Sequence, residues 1–145
     1  MIVDKLLVLA DNASVSATAS GSTVIDCGQA KLTTGLNGMP LAVVAVVTDD
    51  FAEDSSSAAA TVAVELQHCA TSNGSFETCA VSAPVLSGDF NEQPIIVPMP
   101  IEHKQYLKVR FVVTGTLSAA GKVSAFITDA KDAQAYYAEE DGALE

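Results

Sequence analysis

Along residues 102–129, EHKQYLKVRFVVTGTLSAAGKVSAFITD, apolar and polar positions alternate with a period of two in two separate blocks. In the first block Leu107, Val109, Phe111 and Val113 fall on one face while Lys108 and Arg110 fall on the other, the pattern of a half-buried strand. Gly115 and Gly121 bracket the connection. Val123, Ala125 and Ile127 then alternate with Lys122, Ser124, Phe126 and Thr128, so the returning strand can set a small apolar row against the same core.

Similar segments recur upstream, at residues 2–10, 23–27, 41–48, 61–68, 76–82 and 95–99. No helical period of useful length precedes residue 129. Short strands separated by turn signals predict an all-β protein, a jelly-roll-like antiparallel β-sandwich of about eight strands with extended N- and C-terminal arms. The cleanest alternation is TVAVELQ, in which Val62, Val64 and Leu66 face inward. Residues 41–47 are apolar on both faces, so the outer face is either covered by a loop or arm or forms an oligomer interface. In QPIIVPMPI the prolines at 94, 98 and 100 share one parity, and their missing N–H groups would lie along one edge of an extended segment. That predicts an outer strand paired on its other side only; a proline-rich loop is the alternative.

Two polar stretches, DDFAEDSSSAA at 49–59 and SGDFNEQ at 87–93, read as solvated loops. The tail, KDAQAYYAEEDGALE, has no clear apolar face and is expected to order on a partner. The domain organisation is therefore one sandwich over residues 1–130 and an acidic C-terminal tail over 131–145.

Composition narrows the function. Seven basic against 18 acidic residues give a formal net charge of −11, which repels polyanions and argues against nucleic acid as a partner. The longest apolar run, 41–47, is far shorter than the ~20 residues of a membrane-spanning helix. No membrane partner is expected. The opening MIVDKLLVLAD is interrupted by Asp4 and Asp11 and reads as a first strand or arm, not a secretion signal.

Candidate chemistry is sparse. Of three cysteines, none forms a CxxC pair, and the odd number rules out complete intrachain pairing. They read as small buried or partly buried thiols, or as a bridge between Cys69 and Cys79 facing each other across the hairpin VELQHCATSNGSFETCAV, with Ser72–Asn73–Gly74–Ser75 as its turn. His68 adjoins Cys69, but successive strand residues point to opposite faces, which disfavours a Cys–His catalytic pair. His103 is expected as a solvated surface imidazole. Asp49, Asp50, Glu53 and Asp54 match no EF-hand spacing and read as a charged loop. The sequons at Asn12 and Asn73 carry little weight without a secretion signal. Phosphate-binding, nucleophile-elbow and zinc-protease motifs are absent from the sequence. We expect no enzyme activity, no catalytic residues, no cofactor and no metal.

Taken together and in this order, MIVDKLLVLAD, STVIDCG, TVAVELQ, YLKVRFVVTG and AAGKVSAFITDA resemble the capsid cement, or decoration, proteins of short-tailed, podovirus-like tailed bacteriophages. The resemblance implies a jelly roll that forms a homo-oligomer, dimer or trimer, and binds the outer surface of the expanded icosahedral capsid. Its partner there would be the major capsid protein. Synthesis would be in the host cytoplasm and the final location the capsid exterior. On this reading Ile2, Val3 and Leu6 are candidate arm contacts and Tyr136 and Tyr137 candidate aromatic anchors; each set could equally complete the protein's own fold. The alternative function is a receptor- or glycan-binding sandwich on a virion or cell surface.

Overall fold

A computed structural model describes residues 5–21, 23–28, 41–52, 60–100 and 102–129. Its strands are β1 (Val8–Val15), β2 (Ala19–Ser20), β3 (Ile25–Asp26), β4 (Leu41–Asp49), β5 (Thr61–Cys69), β6 (Glu77–Val81), β7 (Val85–Leu86), β8 (Ile95–Pro98), β9 (Tyr106–Thr114) and β10 (Gly121–Asp129). One short helix, α1 (Ser87–Glu92), and a 3-10 turn, Lys5–Leu7, complete the described elements.

The strands form two antiparallel sheets. One has four strands in the order β1-β10-β4-β8; the other runs β2-β9-β5-β6, with β3 also on β9 and β7 also on β5. The chain alternates between sheets, β4 passing to β5, β8 to β9 and β9 to β10. This is the wrapping of a jelly roll. The two alternating blocks that open the sequence argument are therefore not partners of each other: β9 pairs with β5 and β10 with β4. Their apolar rows meet across the core, where Leu107, Val109 and Phe111 from one sheet and Val123, Ala125 and Ile127 from the other are all buried.

The both-faced strand β4 divides its side chains. Val43 and Ala45 enter the central core, while Val44 joins Phe126 in a second cluster on the opposite face of the sheet, with Val8, Val46 and Ile96 packed against it. Val44 is fully buried within the single chain.

Among the described residues strand β8 is an edge, paired with β4 alone. Val97 pairs with Val43 and Ile95 with Ala45, and the next residue of the same parity, Met99, donates its N–H to the Leu41 carbonyl at 3.0 Å. The opposite parity, which includes Pro94, Pro98 and Pro100, faces outward. Ile96 is the one residue from 94 to 100 whose N–H points away from the sheet.

Several elements depart from expectation. The first strand was expected over residues 2–10. Lys5–Leu7 instead forms a 3-10 turn, and β1 starts at Val8 and continues through polar residues to Val15. Two register shifts against β10 make this possible, the second of them containing Asn12 at φ 47°, its N–H bonded to the Ser124 hydroxyl at 3.0 Å. Asn tolerates that left-handed conformation better than most residues, and a bulge keeps the ladder going where the apolar alternation fails. The stretch 87–93 is not a solvated loop but contains α1, which buries Phe90. Nor is the loop after β4 wholly solvated: Phe51 is 2 % exposed. The ring of Phe51 stacks on Phe90 with centroids 5.9 Å apart, and it lies where a side chain on Gly121 would stand, 2.7 Å from the ideal Cβ position. Ile2, Val3, Glu53, Asp54, Tyr136, Tyr137 and the tail 131–145 lie outside the described residues.

Candidate binding surfaces

The outer face of the β2-β9-β5-β6 sheet carries most of its charge in pairs. Glu65 on β5 lies opposite Arg110 on β9, and their charged groups are 3.6 Å apart. The Thr78 hydroxyl on β6 donates to the same carboxylate at 3.2 Å. Lys108 sits over the Phe76 ring, 4.4 Å from its centroid, a cation–π contact. At the end of the sheet Lys104 bonds Glu77 at 3.0 Å, which holds the Glu77 carboxyl below the usual carboxylate range. Exposed apolar side chains, Val81 and Leu86, flank this face on the strands beyond β5.

The two histidines meet at the same end. His68, the eighth residue of β5, accepts a hydrogen bond at Nδ1 from the Lys104 backbone N–H at 3.2 Å. His103, whose ring Nδ1 lies 2.8 Å from the Lys104 carbonyl oxygen, is only 6 % exposed. The solvated surface imidazole expected at 103 is thus corrected: the ring folds back over its own connection. Burial lowers the His68 pKa, the Lys104 and His103 charges lower it further, and Glu77 opposes them.

The cysteines do not face each other. A register shift in the β5–β6 ladder sets Leu66 opposite Ala80 and Gln67 opposite Thr78, so Cys79 is the extra residue of a bulge. Its thiol donates to the Leu66 carbonyl at 3.3 Å, and burial pushes its pKa up to about 11. Cys69 lies two residues past Gln67 and rests near the Thr71 hydroxyl, 3.8 Å away. Hydrogen bonding from the Thr71 backbone lowers its pKa; burial opposes this, and the Thr71 hydroxyl, the Ala70 backbone and the Lys104 charge add to it. All three cysteines are free and buried or partly buried, which matches the first of the two readings; the alternative Cys69–Cys79 bridge is absent. The hairpin itself is present, but its bulge removes the facing geometry a disulfide needs. Nor do His68 and Cys69 pair, since their partners are Lys104 and Thr71 respectively.

A cavity of about 520 Å³ opens beside β1, where the chain enters the sandwich. Val8, Ala10 and Phe126 give it an apolar lining, with Lys5, Asp11, Thr23 and Ser124 as its polar residues. Leu6, in the adjoining 3-10 turn, is 82 % exposed. Of the arm residues singled out in the sequence it is the one the structure describes, and it stands outside the core.

Among the described residues no group of three or more His, Cys, Asp or Glu side chains could hold a metal ion, and no helix is long and apolar enough to cross a membrane. Asp49, from the acidic stretch read as a charged loop, lies 4.0 Å from Lys122. Two features had no clear sequence signal: the Phe51–Phe90 stack, with both rings inside acidic stretches, and the meeting of two histidines 35 positions apart. A family model, Bbp16, matches residues 9–127. No curated protein matches.

Proposed function

The chain belongs to the Bbp16 family, and from that starting point we propose that it is a structural virion protein, a cement that binds the outer surface of an expanded icosahedral capsid and bridges neighbouring major capsid protein subunits. The observation that carries this reading is the extent of the match. Residues 9–127 run from the second residue of β1 to within β10 and so take in nearly the whole sandwich, and its jelly-roll topology is the one that the resemblance to capsid cement proteins leads one to expect. The family name also points to a phage protein.

The physical logic is mass action. Packed DNA pushes a shell outward, and a protein that binds only the assembled lattice stabilises that lattice. An oligomer touching several subunits at once gains from high effective concentration, so modest single contacts suffice. A net charge of −11 suits an exterior position away from DNA and complements basic patches on a shell. We assign Leu6, with Ile2 and Val3 before it, to the attachment arm, and Tyr136 and Tyr137 to a second contact. The exposed Leu6 beside the β1 cavity supports the first assignment.

Co-sedimentation of the purified chain with two particle forms, expanded shells stripped of it and unexpanded precursors, tests the reading. Saturable binding to expanded shells with a raised disruption temperature is expected. Binding to neither form would overturn it.

A further inference from the structure

The chain has two histidines, and both bond to one residue, Lys104. We infer that they form a proton-sensitive clasp, which fastens the β8–β9 connection to the end of β5 at neutral pH and opens when His68 is protonated. The geometry carries the argument. His68 Nδ1 receives the Lys104 N–H at 3.2 Å, so it must be an unprotonated acceptor, with any proton of the neutral ring on Nε2. Protonation converts Nδ1 into a donor that faces another donor. The hydrogen bond is then replaced by repulsion.

The surroundings sharpen the response. Facing His68 are Lys104 and His103 from the connection and Glu77 from β6. On the neighbouring strand β9, Leu107 pairs with His68, and Tyr106 pairs with the adjacent Cys69. Lys104 and His103 oppose a positive charge on His68, Glu77 favours it, and burial opposes it. Glu77 is already bonded to the Lys104 ammonium, which limits what it can offer the imidazole. When the clasp opens, the Lys104 backbone loses its anchor on β5, while the exposed Lys104–Glu77 pair is a weak tether.

The sign follows. A His whose folded-state pKa lies below its unfolded value of 6.5 contributes stability that is present above that pH and lost as pH falls toward the folded value. The clasp is therefore closed at pH 7 and opens on acidification, at a midpoint below 6.5.

NMR of the full chain tests this directly. The His68 ring shifts are followed from pH 8 to 4.5, together with the Lys104 amide shift and its hydrogen-exchange protection corrected for the intrinsic rate. The Lys104 amide is expected to move with the His68 midpoint and to lose about five- to tenfold in protection, as for one lost hydrogen bond. His68→Gln, whose amide oxygen can accept but does not titrate, should hold the Lys104 protection constant over the same range; the wild-type titration decides the matter should that variant not fold. A Lys104 amide that stays unchanged while His68 titrates, or a His68 midpoint at or above 6.5, would overturn the clasp.

Discussion

The side-chain amide of Asn91 makes two hydrogen bonds to a single residue, Phe51, accepting its backbone N–H at 2.8 Å and donating to its carbonyl at 2.9 Å. The pairing copies a β-ladder with a side chain, and it fixes the chain just after β4. It also sets the Phe51 ring between Phe90 and Gly121. Asn91→Ala should cost about 2–3 kcal/mol, since both backbone groups lose their partner in a half-buried place. Asn91→Asp keeps the acceptor but turns the donor into a charged acceptor facing the Phe51 carbonyl, so it should cost at least as much as Asn91→Ala. Urea unfolding of the three proteins checks the order.

Gly121→Ala places a methyl group into the Phe51 ring and should destabilise by about 1–3 kcal/mol, the usual cost of overpacking. In a Phe51→Leu background the same substitution should cost clearly less, because the two changes share one space. A thermal-melt double-mutant cycle reads the coupling. Additive costs would show that the ring moves aside freely.

Replacing Pro94, Pro98 and Pro100 together by Thr restores outward N–H groups along β8. The prolines remove donors only from the outer side, so unfolding free energy should change little, while concentration-dependent association should rise. Light scattering across a concentration series separates the two effects.

Cys79 has its pKa pushed up to about 11 from 9.0 by burial. The folded state holds this proton more tightly than the unfolded chain, so the contribution is complete below pH 9.0 and is lost as pH rises toward 11. Stability measured across that window should fall less steeply in Cys79→Ala than in the parent chain, each relative to its own value at pH 8. Mild oxidation of the folded monomer should leave Cys69 and Cys79 unbridged, checked by mass spectrometry of the unreduced digest.

What was legible in the sequence was set by alternation. Val62, Val64 and Leu66 announce β5 because one face of that strand is buried over its length, and the parity of Pro94, Pro98 and Pro100 announces the edge at β8 because a missing N–H has a direction. Phe51 and Phe90 were illegible for the opposite reason. Each is a lone ring among acidic residues, and α1, at six residues, is too short to show a helical period. For Cys69 and Cys79 the reading as separate thiols holds, and the alternative bridge fails because counting across a hairpin assumes an unbroken register, and one bulge moves every later partner. The charged neighbours of His103, Glu102 and Lys104, suggest a solvated ring but say nothing of where it folds.

The β10 strand is the last of the described strands, yet it lies between β1 and β4. Its two neighbours begin at residues 8 and 41, so the ladders that complete this sheet close only after nearly the whole sandwich has been synthesised. Loops of that length make such pairing slow, because the chain entropy of closure must be lost before any contact rewards it. A product cut short before Gly121 would lack the strand that, among the described residues, joins β1 to β4, and so would leave this sheet in two pieces.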